Sequence, residues 1–299
     1  MASNAPRVVV ITRETEYEML LARHATRGQA GFFLQERGQS IDELDDRHAR
    51  FMQALHRIMA AIPPDWRRNR VQRAELDRFL FEPQDLIVAV GQDGLVANTA
   101  KYLSGQKVIG VNTNKDLFDG ILVPFSTGEA ISLLSPAMHG ETPVQSRTMV
   151  EATLDDGQRL LALNELFLGH RSHQSARYQI TNTTHRERQS SSGIIVSTGT
   201  GATGWARSIH RSRKDQQPLP KPEDKQLAYY VREAFPSVAT GTDISSGLVR
   251  EHETLQVRSE MNEDGVIFGD GIETDYLDFN WGRQVSVGIA KETLELVTE

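Results

Sequence analysis

The chain has 299 residues, 38% hydrophobic and 24% charged, with a formal net charge of −7 and no cysteine. That length is enough for two domains with a buried core, and the composition is that of an ordinary globular protein. Disulfides and thiolate metal sites are excluded, no apolar run approaches the roughly 20 residues a membrane helix needs, and the acidic balance argues against nucleic acid as a partner.

The opening MASNAPRVVVITRE lacks a signal-peptide pattern, so a cytoplasmic protein without a membrane anchor is expected. Arg7–Thr12 (RVVVIT) reads as a strand and 14–24 as a helix. The segment 24–31 (HATRGQAG) reads as a loop, and Phe32, Phe33 and Leu34 begin another apolar element. Leu44, Phe51, Leu55, Ile58, Met59 and Ile62 fall at helical spacing over 41–62, and Pro63-Pro64 stops that helix. Arg67, Arg68, Arg70 and Arg73 are expected to be solvated, as are Arg186 and Arg188. Leu86–Val90 and 108–111 (VIGV) read as buried strands, with a helix over 95–103 between them. Strands alternating with helices predict a doubly wound α/β domain over residues 1–135.

The character changes near Pro136. Short alternating pieces at 147–154, 158–168, 175–181, 193–197, 254–258, 266–268 and 284–289 are separated by turns such as Asp155-Asp156-Gly157. They predict an antiparallel all-β domain over 136–299, whose last residues return to the first domain. The charged, Pro-containing stretch 211–225 reads as an exposed loop.

Two glycine turns carry the chemistry. In DLIVAVGQDG the apolar run Leu86–Val90 empties into Gly91-Gln92-Asp93-Gly94. The glycines let backbone N–H groups approach an anion, and in open parallel sheets the carboxyl edge of the strands is where ligands bind. Asp93 is held at that edge and a helix start faces the same turn, so a carboxylate lies beside a phosphate cradle, a kinase-like arrangement. The second turn is SSGIIVSTGTGATGWARS, 191–208. Gly199, Gly201 and Gly204 match G-x-G-x-x-G after a strand, but the acidic residue that a dinucleotide fold needs about 20 positions on would fall in the Pro-rich loop. Trp205 stands where a P-loop has its lysine, so that motif is rejected too. What survives is a Thr/Gly loop opening a helix, rich in N–H and hydroxyl donors, with Trp205 offering a ring face to a nucleobase. His170 and His173 lie three apart with no third ligand in view, and no metal site is predicted there.

Several ordered blocks resemble the NAD kinase family, its mitochondrial-type branch and bacterial relatives above all. They are GQDG (Gly91–Gly94), VIGVNTN (Val108–Asn114), ALNELFLG with its Asn164-Glu165 pair, SARYQI (Ser175–Ile180), SSGIIVSTGTGATGW, and FGDGIE (Phe268–Glu273). Together they span most of the chain from residue 85 onward. Two positions depart from the family's GGDGT turn: Gln92 replaces its second glycine and Leu95 its threonine.

The resemblance implies a Rossmann-like, phosphofructokinase-like first domain and a β-rich dinucleotide-binding second domain. It implies transfer of a phosphoryl group from ATP or polyphosphate to the 2′-hydroxyl of the adenosine ribose of NAD, with Mg2+ accompanying ATP. Asp93 would be the catalytic base. Gly91, Gln92 and Asn112 would bind phosphate. Gly94, Asn164, Glu165, Thr198, Thr200, Gly201, Ala202, Thr203, Trp205 and Asp270 would line the substrate site. A homodimer or higher homo-oligomer is the implied assembly. The competing readings are a lipid or sugar kinase built on the same turn, and a nucleotide-binding regulator that has lost catalysis through the exchanges at 92 and 95.

Overall fold

The computed structural model describes residues 5–115, 120–183, 185–213 and 217–299. The chain divides into two compact units, Met1–Gln145 with Glu295–Glu299, and Ser146–Leu294.

The first unit is an α/β layer. In chain order it holds β1 (Arg7–Thr12), α1 (Glu16–His24), α2 (Arg27–Gln35), α3 (Ile41–Ala61), β2 (Arg67–Gln72), β3 (Leu86–Val90), α4 (Asp93–Ala100), β4 (Lys107–Val111) and α5 (Thr127–His139). The strands pair in parallel in the order β2-β1-β3-β4, and Glu295 and Leu296 add a parallel pairing to Lys107 and Val108. Strand residues alternate between faces. Val8, Val10, Val88, Val90, Ile109 and Val111 pack with Phe51, Leu55 and Ile58 of α3 and with Leu134 of α5. The intervening Val9, Ile11, Ile87 and Val108 are equally buried on the opposite face, where α4 packs against β1, β3 and β4. Helices on both faces are what parallel strands demand.

Order β2-β1-β3 matters for function. The chain leaves β1 toward β2 on one side, then returns to β3 on the other. The carboxyl ends of β1 and β3 therefore flank the topological switch point, where open α/β sheets hold their ligands.

The second unit is a pair of antiparallel sheets. Its strands are β5 (Val144–Leu154), β6 (Arg159–Ala162), β7 (Glu165–His170), β8 (Ala176–Thr181), β9 (Arg186–Ser191), β10 (Ile194–Ser197), β11 (Gln226–Val231), β12 (Ser246–Arg250), β13 (Leu255–Ser259), β14 (Gly265–Gly269), β15 (Tyr276–Asp278) and β16 (Gln284–Val297). One sheet runs β16-β13-β8-β9, with β5 pairing β16 and β6; the other runs β12-β11-β10-β7-β14-β15. Their inner faces share one core, with Val150, Tyr178, Ile180 and Val257 from the first meeting Leu166, Leu168, Val196, Tyr229 and Ile267 from the second. Outer-face residues Phe167, Ile195 and Tyr230 are covered in part by α6 (Trp205–Arg213) through Ala206 and Ile209.

Several expectations are corrected. The predicted loop over 24–31 is mostly α2, because Thr26 caps it by accepting the Gln29 N–H at 3.2 Å. That cap outweighs two helix-weakening glycines. The arginine runs fall on strands, β2 and β9; Arg68, Arg70, Arg73, Arg186 and Arg188 are exposed as expected, and two arginines of the runs hold ion pairs. Arg67 is bidentate to Glu82 at 3.0 and 2.7 Å, and Arg188 meets Glu260 at 2.5 Å. Charged residues suit β2 because it is an edge strand. Helix α6 takes the first residues of the predicted 211–225 loop, of which 214–216 lie outside the described residues.

Candidate active site

In the first unit, β3 delivers Gly91 and Gln92 to the carboxyl edge, and α4 begins on Asp93. Gly91 donates its N–H to the Val111 carbonyl at 2.9 Å, which ties the turn to β4. The Gln92 carbonyl accepts the Leu95 N–H at 2.9 Å. Leu95, where the family's hydroxyl would be, is 1% exposed, with its Cδ2 3.4 Å from where a Cβ on Gly91 would stand. It is a packing residue of the turn. Gly94 is exposed with open space around it.

Asp93 is oriented by backbone. Its Oδ2 accepts the Ile121 N–H at 3.1 Å and its Oδ1 the Leu122 N–H at 2.8 Å. That segment comes close because β4 carries Gly110: a Cβ there would stand 1.9 Å from the Leu122 carbonyl oxygen. Each carboxylate oxygen keeps a second lone pair for a substrate hydroxyl. Asn112 is buried; its N–H goes to the Phe125 carbonyl at 2.8 Å and its Oδ1 accepts the Asn114 N–H at 2.8 Å. Beside these residues the sequence reading missed Arg13, the first residue after β1, whose Nη2 donates to Gln92 Oε1 at 2.7 Å. The rule that pointed to Asp93, a polar residue just past a buried parallel strand, applies to Arg13 as well.

The second unit gathers Asn164, Glu165, the Thr/Gly loop and Asp270. Asp270 follows β14 with φ +54, and its carboxylate accepts the N–H groups of Leu163 at 3.0 Å, Asn164 at 2.7 Å and Glu165 at 3.4 Å. Its own N–H returns to the Glu165 carbonyl at 3.0 Å. The Asn164 carbonyl takes the Thr198 N–H at 2.9 Å, and the Thr198 hydroxyl bonds the Leu163 carbonyl while accepting the Thr200 N–H at 3.1 Å. Gly201 lets the loop press on this junction, since a Cβ would lie 2.2 Å from the Asn164 oxygen. Ala202 closes the turn through its N–H to the Thr198 carbonyl at 3.0 Å, and Thr203 bonds the Thr200 carbonyl through its hydroxyl at 3.1 Å.

Two polar groups in this cluster are uncommitted. The Thr200 hydroxyl is buried and has no partner among the described residues, which in a native protein calls for an explanation such as a ligand or water. Burial, and then the neighbouring Asp270 charge, push the Glu165 carboxyl up to about 7. A half-buried carboxyl titrating near neutrality is the kind of group that collects at functional sites.

Trp205 stands apart from that cluster. Its ring is stacked on Phe167 at 6.3 Å and 8°, with the Arg232 guanidinium 5.0 Å from its centroid. It borders a cleft of about 320 Å3 that also holds His170 and His173. Phe167 and Arg232 were not foreseen, because only the fold brings β7 and the end of β11 to α6. Among the described residues no three His, Asp or Glu side chains gather as a metal cluster, and no helix is long and apolar enough to cross a membrane.

The chain matches no family model. It is similar to an NAD kinase of Chlorobaculum tepidum, 31% identical over 127 residues, 42% of this chain and 44% of that protein. It is also similar to the mitochondrial NAD kinase 2 of Rattus norvegicus, 27% identical over 256 residues, 69% of this chain and 60% of that protein. The chain thus spans about half the length of the curated relatives it matches. In fold it resembles a yeast NADH kinase solved with NADH, at a TM-score of 0.61 and 14% identity, covering 99% of this chain and 84% of that one. An NAD kinase from Archaeoglobus fulgidus solved with ATP matches at a TM-score of 0.61 and 19% identity, covering 98% of this chain and 93% of that one.

Proposed function

Similarity to NAD kinases, first read from the motifs, holds in both sequence and fold, and from it we propose that this chain is itself an NAD kinase. It transfers the terminal phosphoryl group of ATP or polyphosphate to the 2′-hydroxyl of the adenosine ribose of NAD, giving NADP. The observation that carries this is the Asp93 carboxylate, fixed by two backbone donors at the carboxyl edge of β3 with lone pairs to spare. NADH and ATP in the two similar structures support nucleotide substrates here.

The ribose oxygen attacks the terminal phosphorus, the bond from that phosphorus to the bridging oxygen breaks, and the shortened donor leaves with that oxygen. Asp93 receives the proton of the attacking hydroxyl. Mg2+ takes phosphate oxygens and water as most of its ligands, so it needs no dedicated cage and at most one or two carboxylates. When bound with the donor it neutralises charge on the transferred group. Asn164, Glu165, Thr198, Thr200, Gly201, Ala202 and Thr203 hold the dinucleotide, with Asp270 fixing the backbone behind them, Glu165 accepting ribose hydroxyls and the orphaned Thr200 hydroxyl finding its partner in the ligand. A site built to pair hydroxyls rejects analogues that lack them. Trp205 lends its ring face to a base.

Incubation with NAD, Mg2+ and ATP or polyphosphate, followed by NADP, tests the proposal. Asp93→Asn should lower kcat by about 100-fold or more, the usual yield of a positioned base. Tight NAD binding without turnover would assign a regulator. No affinity for NAD would return the lipid or sugar kinase.

A further inference from the structure

The arginines of β9 have no part in the reaction proposed above. Arg186 and Arg188 lie two apart and so share the outward side of that strand. The same alternation turns Gln179 and Thr181 of β8, Arg258 of β13 and Gln284 of β16 outward, above the buried Tyr178, Ile180 and Val257. The one long helix of this unit, α6, packs on the other sheet.

Strand register draws these side chains together. Arg258 stands opposite Gln179 on one side and Gln284 on the other, and Arg186 stands opposite Thr181. Neighbouring strands are about 4.8 Å apart, so long side chains from β9 and β13 can lean over β8 from both sides. Arg186 does so: it donates to Gln179 Oε1 from Nε at 3.1 Å and from Nη2 as well. Arg186, Arg258, Gln179, Thr181 and Gln284 line a recess of about 240 Å3 on this face. No carboxylate among the described residues lines it. Glu260, on the same face, is held by Gln179 Nε2 at 3.0 Å and by Arg188 Nε at 2.5 Å. Neither Arg186 nor Arg258 has an ion-pair partner among the described residues, and the side chains of Arg258 and Gln284 have no hydrogen bond among them either.

Two guanidiniums without counter-charges, facing a recess floored by amide and hydroxyl groups, repel one another until an anion comes between them. Their planar forks match oxyanions two bonds at a time, and a chain of net charge −7 can still carry a local cationic field. We propose that this recess binds a compact oxyanion with at least two negative charges, of the phosphate class: free pyrophosphate or the diphosphate group of a nucleotide. It lies on the sheet opposite the one that carries Glu165 and the Thr/Gly loop, and it does not depend on the kinase reading.

Calorimetric titration of the full chain with inorganic pyrophosphate, and separately with ADP, tests the site at low salt and without Mg2+. The proteins compared are wild type, Arg186→Gln, Arg258→Gln, the two combined, and Arg177→Gln. Arg177 is an exposed arginine of β8 on the same face but outside the recess. Wild type should bind pyrophosphate with a Kd below about 1 mM. Either single exchange in the recess should weaken binding by about 10-fold, and the double exchange should abolish it. Arg177→Gln removes the same charge and should stay within about twofold of wild type, which separates a built site from a diffuse field. Every exchange is at an exposed position, so the thermal melts should coincide. Any pyrophosphate taken up by the first unit is common to all the proteins and cancels in the comparison. Parallel loss of ADP binding would assign the nucleotide's diphosphate as the ligand group; loss of pyrophosphate alone would assign the free anion. Identical isotherms in wild type and the double variant, no wild-type binding up to about 10 mM pyrophosphate, or an equal loss in Arg177→Gln, would overturn the site.

Discussion

The two glycine turns differ in what their carboxylates are for. In the first unit Asp93 accepts two N–H groups, and one of its donors belongs to Ile121, which is 49% exposed. In the second unit Asp270 accepts three, from consecutive residues where β7 begins. Their glycines differ in the same sense. Gly94 has open space around it, whereas Gly201 stands hard against the Asn164 carbonyl. The first turn leaves its acid with two backbone partners and spare lone pairs; the second ties its acid to three donors and leaves the Thr200 hydroxyl without a partner among the described residues. A short acid-glycine motif therefore does not by itself say which of these jobs its carboxylate does.

Stability measurements can break or sharpen that contrast. The largest effect is expected at Asp270→Ala, which strands three backbone donors and should cost about 4 kcal/mol of stability, read by denaturant melts. Gly201→Ala must move backbone, with about 3 kcal/mol lost by the same measurement. Glu165→Gln should act in the opposite direction and only at higher pH. A carboxyl raised to about 7 in the folded chain holds its proton there after the unfolded chain has released its own. Folding is therefore penalised progressively as pH rises from about 4.5 to 7 and fully above it. The Gln variant should gain about 2 kcal/mol at pH 8, allowing for partial solvation, and nothing at pH 4.5. Asp93→Ala should cost about 1 kcal/mol of stability, because water can reach the Ile121 amide, while NADP formation collapses. Gly94→Ala should stay within about 0.5 kcal/mol of wild type. If Asp93→Ala unfolds the protein as severely as Asp270→Ala does, the distinction between the two acids falls.

Much of this was legible in the sequence, for physical reasons. Leu86–Val90 is uniformly apolar because it is buried on both faces, and a strand that then meets glycine can only be turning at the sheet edge. The antiparallel unit announced itself through alternation, as in β8, where Ala176, Tyr178 and Ile180 are buried and the residues between them are not. Other elements were hidden because their stability is tertiary. β2 and β9 carry arginines whose carboxylate partners come from distant residues, Glu82 and Glu260. α2 spends two glycines on its own length. In the candidate site, the residues singled out from the sequence carry local signatures, whereas Arg13, Phe167 and Arg232 carry none. Their meaning lies in a neighbour about 80, 40 and 30 positions away, a separation that periodicity cannot see.

One missing methyl group reaches further than its position suggests. Residue 110 touches no substrate in any scheme drawn above, yet even alanine there would drive the crossing chain off β4. The two amides that aim the acid at 93 would go with it. On the kinase reading proposed above, activity would be exposed to a substitution in the middle of a buried strand, and a variant of that kind would look like a folding lesion while failing first as a catalyst.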